Sequence, residues 1–109
     1  MINIRRCCCY YTRYTNGDID YKRMKELISK YPTIIIDVRS EQEFREGHIN
    51  GAINVPLYRI KSDIPKRIND KEKYIILYCT SGIRSKKAQN ILSDLGYINV
   101  YNLISGFSE

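Results

Sequence analysis

The chain has 109 residues, the size of a single domain, with 43% apolar and 28% charged side chains. These values exclude disordered, collagen-like and coiled-coil chains and leave enough length for one sizeable core. Eighteen Lys and Arg against twelve Asp and Glu give a net charge of +6, which favours anionic partners or substrates without choosing among them.

Residues 1–17 carry no clear period and end at Asn16-Gly17-Asp18, a turn signal, so they read as an unassigned N-terminal arm ahead of a domain over 18–109. Met1 to Tyr10 has a basic pair but no apolar stretch of the kind a secretory signal needs, and a cytoplasmic location is expected. From Asp20 the pattern is helical: Met24, Leu27, Ile28 and Tyr31 share one face, and Pro32 ends it. Thr33-Ile-Ile-Ile-Asp-Val38 is a β-branched run, the pattern of a strand buried on both faces. Ser40 and Glu43 form a capping box that opens a helix ending at Gly47.

Ala52 to Val55 reads as a brief strand stopped by Pro56, and 57–71 as short helical turns separated by Pro65. Tyr74 to Cys79 is the second buried strand and the longest apolar run, far too short to span a membrane. Thr80 to Arg84 reads as a loop. A helix follows from Ser85, with Ala88, Ile91, Leu92 and Leu95 on one face and Gly96 as its stop, and Ile98 to Tyr101 is a last strand. Buried strands alternating with amphipathic helices predict an α/β domain with a mainly parallel sheet, its reactive site beyond the carboxyl ends of the strands.

The cysteines, at positions 7, 8, 9 and 79, fit neither a disulfide framework nor the paired spacing of a zinc site. Cys79 stands apart. It lies at the carboxyl end of a buried strand, before a loop carrying Thr80, Ser81, Gly82, Ile83 and Arg84 and a helix opening near Ser85. Loop amides turned inward, together with the positive end of the helix, favour a thiolate and predict a lowered thiol pKa. Lys86 and Lys87 in the predicted first turn oppose the helix dipole, where a helix chosen for stability alone would carry acids.

Three segments then resemble the rhodanese domain, a sulfurtransferase family: Ile36-Asp-Val-Arg39 with Glu43-Phe44; Gly47-His-Ile-Asn-Gly-Ala52-Ile-Asn-Val-Pro56; and Tyr78-Cys-Thr-Ser-Gly-Ile-Arg-Ser85, continued by Ala88 and Leu95-Gly-Tyr97. Their order and spacing are similar to the small single-domain bacterial members and cover roughly 19–107. The resemblance implies a three-layer fold, a central parallel sheet with helices on both faces. It implies that Cys79 takes sulfane sulfur from a small anionic donor such as thiosulfate, holds it as a persulfide and passes it to cyanide or a thiol, with no metal or organic cofactor. A carrier that receives sulfur from a partner protein is the alternative. Phosphatases and arsenate reductases of similar fold carry C-x5-R; here Cys79 to Arg84 is C-x4-R, so that chemistry is disfavoured.

Arg84 is expected to offer a planar fork of donors to substrate oxygens, or else to pair with a carboxylate and shape the loop. Arg39 is a candidate for the substrate mouth, with an ion pair to Glu43 or Glu46 as the preferred reading. Asp37 is expected to accept hydrogen bonds from nearby amides. His48, the single histidine, is expected to be structural, as the matching family segment implies. Ser105 stands where the family often has the first glycine of a Gly-Gly pair, which leaves the turn before Phe107 open. Cys7, Cys8 and Cys9 have no counterpart and are expected to be incidental. No aromatic–basic module suggests a nucleic-acid partner, and no membrane partner is expected.

Overall fold

The computed structural model describes residues 16–107. Among these residues five strands form one parallel sheet: β1 (Gly17–Ile19), β2 (Thr33–Asp37), β3 (Ile53–Asn54), β4 (Tyr74–Tyr78) and β5 (Val100–Leu103), in the spatial order β1-β5-β4-β2-β3. The helices are α1 (Tyr21–Lys30), α2 (Glu41–Glu46), α3 (Ile60–Arg67) and α4 (Ile83–Asp94), with a 3₁₀ turn at Leu57–Arg59. No described helix is long and apolar enough to cross a membrane.

The central strand β4 shows how the layers arise. Its residues alternate across the sheet, as any strand's must. Ile75, Leu77 and Cys79 join Ile60 and Ile64 of α3 and Ala88 and Leu92 of α4 in one core, whereas Ile76 and Tyr78 join Met24 and Leu27 of α1 in the other. Helices therefore cover both faces, the three-layer α/β fold that the resemblance implied. Cys79 is committed to the α4 side by register alone.

The boundaries differ from the sequence reading chiefly in these places, besides strand ends shifted by a residue. Asn16 and Gly17 belong to the domain: the Asn16 amide donates to Ser93 Oγ (2.7 Å) and Tyr97 O (2.9 Å), its Oδ1 accepts from Val100 N (2.7 Å), and Gly17 opens β1 beside Tyr101. Pro65 lies inside α3 instead of dividing it, because the helix is short and burial of Ile60 and Ile64 outweighs the one missing backbone donor. Helix α4 starts at Ile83, two residues before Ser85, with Gly82 capping it in a left-handed conformation (φ 89°). The last strand runs Val100–Leu103, further along than Ile98 to Tyr101. Cys7, Cys8 and Cys9 lie outside the described residues.

Candidate active site

Strands β2 and β4 are neighbours from which the chain moves outward in opposite directions, to β3 on one side and β5 on the other. Their carboxyl ends, Asp37–Arg39 and Cys79, flank the crevice expected at such a reversal. Cys79 is fully buried among the described residues and forms no disulfide.

Helix α4 has no capping side chain at its amino end. The Cys79 sulfur takes that place: Sγ accepts from the amides of Gly82 (3.1 Å) and Ser85 (3.4 Å), and the Ser85 hydroxyl lies 3.4 Å away. First-turn amides need an acceptor, and an anion satisfies them best. Burial pushes the Cys79 thiol up, but the Ser85 hydroxyl and the amides of Ser85, Gly82 and Ser81 together pull it below the ordinary thiol value. The absence of an acid in the first turn fits a helix end aimed at a thiolate.

The far wall of the loop is the turn before Phe107. Gly106 sits at φ 65°, and a Cβ there would run into the carbonyl oxygens of Cys79 and Thr80. Phe107 N donates to Cys79 O (2.8 Å) and Gly106 N to Leu103 O (3.1 Å). A single glycine therefore makes this turn, and Ser105 takes the preceding position exposed.

Arg84 does not reach toward the sulfur. Its two terminal nitrogens pair with Glu43 (2.8 and 3.1 Å), and the same Glu43 closes the capping box with Ser40. The Arg84 guanidinium and then the Ser40 amide hold the Glu43 carboxyl down to about 2. The carboxylate pairing, one of the two expectations for Arg84, is the arrangement present.

The expected pairing of Arg39 with Glu43 or Glu46 is corrected: its partner is Asp37, through Nε and Nη2 (2.7–3.1 Å), and Nη2 also donates to Gly47 O (2.6 Å). The reason is direction. Arg39 turns back under the sheet, where Tyr78 and Phe107 flank its guanidinium, while Glu43 faces Arg84. Asp37 also accepts from Arg39 N (2.8 Å), as anticipated for a loop amide. Buried, Arg39 ties β2 to the α2–β3 loop through Asp37 and Gly47 O. His48 stacks on Phe44, and its Nδ1 pairs with Phe44 O (2.7 Å), a structural role.

Thr80, Ser81 and Ile83 are exposed, Gly82 and Ser85 buried. Beside them a cavity of about 460 Å³ is lined by Ser81, Gly82, Ile83, Lys86, Lys87 and Ile104, among others. Lys86 is paired with Asp18 (3.1 Å), and no ion pair of Lys87 occurs among the described residues. No cluster of three or more His, Cys, Asp or Glu that could hold a metal is present among the described residues.

The sequence reading did not single out Asn102, which receives the Ser85 hydroxyl (2.5 Å). Its signal was available: a polar side chain breaks the apolar alternation of a buried strand after Val100. Gly106 was marked only as the glycine that follows Ser105 in the family-like turn, and the approach of two distant segments is what demands it.

Comparison with known proteins bears on this geometry. The tRNA uridine(34) hydroxylase of Yersinia pestis is 34% identical over 91 residues, covering 80% of this chain but 26% of that protein. The chain thus spans about a quarter of the length of the curated relatives it matches. A solved rhodanese with anions from E. coli is 38% identical, with a TM-score of 0.62 over 64% of this chain and 82% of that one. The human single-domain sulfurtransferase TSTD1, at 22% identity, shares the fold with a TM-score of 0.75 over 83% of this chain and 90% of its own. A model described as Rhodanese-like domain matches residues 20–109, from the start of α1 through the sulfur-bearing loop and beyond the Gly106 turn, and the chain belongs to that family.

Proposed function

We propose that this chain is a sulfurtransferase that carries sulfane sulfur on Cys79 between a small anionic donor, such as thiosulfate, and a thiophilic acceptor, cyanide or a thiol. The observation that carries the reading is the sulfur itself occupying the cap of α4, with the Gly82 and Ser85 amides aimed at it. Family membership supports sulfur transfer in general.

The chemistry follows from that cradle. The Cys79 thiolate attacks the outer sulfur of thiosulfate; a new S–S bond forms at Sγ, the S–S bond of thiosulfate breaks, and sulfite leaves with the electron pair. The loop amides Ser81, Gly82 and Ser85 stabilise negative charge on the sulfurs through both half-reactions. The acceptor then attacks the terminal sulfur and Cys79 departs as a thiolate, so the enzyme alternates between two forms and shows ping-pong kinetics. A phosphoryl reading would need the arginine free to clamp oxygens, and here Glu43 holds the Arg84 fork.

Intact mass after thiosulfate tests this. One sulfur atom should be gained by the wild-type chain, removed by cyanide, and absent from Cys79→Ser, whose hydroxyl is a far poorer nucleophile at neutral pH. Near-wild-type thiosulfate:cyanide turnover in Cys79→Ser would overturn the assignment. Mass gain with slow cyanide turnover, but rapid discharge to a protein thiol, would select the carrier form of the same chemistry.

A further inference from the structure

A chain of hydrogen bonds leads from buried Cys79 through Ser85 and Asn102 to the exposed pair Asp18 and Lys86, along one wall of the cavity beside the loop. The Ser85 hydroxyl contacts Sγ at 3.4 Å and Asn102 Oδ1 at 2.5 Å. On its other side the Asn102 amide nitrogen faces Asp18 Oδ1 (3.2 Å) and Gly82 O (3.5 Å). Asp18 in turn accepts from Lys86 Nζ (3.1 Å). Both atoms beside Nδ2 are acceptors, so the amide can be oriented only with its NH2 toward them and its oxygen toward Ser85.

That orientation has a consequence for sulfur. A serine hydroxyl owns one proton, and an amide oxygen can only accept. When the Ser85 proton points at Asn102 Oδ1, the Ser85 oxygen presents a lone pair to Cys79, which suits a thiol donating its S–H. A thiolate needs the same proton to point at Sγ, and then Asn102 Oδ1 is left buried without a donor, a costly state.

We infer that Asn102 is a positioning residue that competes with the Cys79 sulfur for the single hydroxyl proton of Ser85. In the thiol form the proton lies on Asn102. Loss of the thiol proton to solvent turns the hydroxyl to Sγ, with no bond made or broken at Ser85. On sulfur loading, Sγ becomes a neutral inner sulfur and the hydroxyl returns to Asn102, so Asn102 favours the sulfur-loaded form over the free thiolate. The meaning for turnover rests on Cys79 being the sulfur carrier; the competition itself does not.

The variants that test this replace none of the charged groups near the site, Arg84, Lys86 and Lys87 on α4, Asp18 on β1, the Asp37–Arg39 pair at the end of β2, and Glu43 on α2, although Asp18 loses the Asn102 amide in the asparagine variants and keeps Lys86. The measurement is the pH dependence of iodoacetamide labelling at the Cys79 peptide of the full chain, read by mass spectrometry, which requires no sulfur transfer. Asn102→Leu, close in shape and without an acceptor, should lower the Cys79 labelling midpoint by about half to one pH unit, the range of one hydrogen bond redirected to a charge. Ser85→Ala should raise it, and Asn102→Leu should have no further effect in the Ser85→Ala background. Asn102→Ala must reproduce the downward shift and stands in if the leucine variant fails to fold. An unchanged or raised midpoint in the asparagine variants, or the same shift with and without the Ser85 hydroxyl, overturns the proposal. A midpoint that behaves as described in a chain unable to take sulfur from thiosulfate would instead count against the proposed function alone.

Discussion

Gly106→Ala should be among the most damaging single-atom additions to this domain, and the cost can be worked out. At φ 65° an alanine adopts the left-handed region at about 1–2 kcal/mol. The new Cβ also meets the backbone of Cys79 and Thr80, which cannot rotate aside as a side chain would. The turn must withdraw, and the bond from Phe107 N to Cys79 O (2.8 Å) goes with it, at about 1 kcal/mol net. The total is about 2–3 kcal/mol, or roughly 8–24 °C in Tm for a domain of this size. Gly96→Ala isolates the conformational part, since Gly96 has φ 98° but nothing within 4 Å of an added Cβ. Thermal melts of the two variants should differ by at least the packing component. Thiosulfate:cyanide kcat/KM, measured well below both midpoints, should fall at least about tenfold in Gly106→Ala, because displacement of Cys79 and Thr80 carbonyls moves the amides that aim at sulfur. Equal Tm losses in the two variants, with turnover unchanged, would refute the claim that this turn shapes the sulfur-bearing loop.

Two further outcomes follow from the charges. Glu43 has its carboxyl held down to about 2, so its pairing with Arg84 and Ser40 stabilises the fold above the ordinary carboxylate pKa and is lost as pH falls from about 4.5 toward 2; Glu43→Gln should flatten the acid limb of the Tm–pH curve between those limits, and parallel curves would count against it. Lys86 is already paired with Asp18 whereas Lys87 has no ion-pair partner among the described residues, so Lys87→Ala should lower kcat/KM for thiosulfate more than Lys86→Ala does, by about two- to fourfold at low salt. The difference should vanish in high salt, and a salt-independent effect would rule out long-range capture.

Much of the architecture was legible because it rests on local rules. The β-branched run before Asp37 and the apolar run before Cys79 could be little other than buried parallel strands, and their alternation with amphipathic helices fixed the layers. The Ser40–Glu43 box and the stop at Gly47 are interactions within a few residues, and they occur as the sequence spells them. Cys79 was legible for the same reason: a cysteine at a strand end, followed by Gly82 and a helix start, carries its chemical environment within six residues.

The pairings between residues far apart in the chain were set by the folded arrangement of the strands and helices. Arg39 has several carboxylates near it in sequence and Arg84 none within nine positions, and the pleat and the helix phase set both pairings: Arg39 folds back onto Asp37, and Arg84 crosses from α4 to Glu43 on α2. Asn102 became a partner of Ser85 because β5 lies beside β4 in register, with Leu77 opposite Asn102. Asn16, read as part of an arm, was claimed by the far ends of α4 and β5. Gly106 needs its missing side chain because it meets Cys79 and Thr80, residues more than twenty-five positions earlier. Local sequence determines which backbone conformations and which reactive atom are available, since those energies act within a turn or a strand. The partners of each charge and amide depend on the three-dimensional order of the strands, which no short segment encodes.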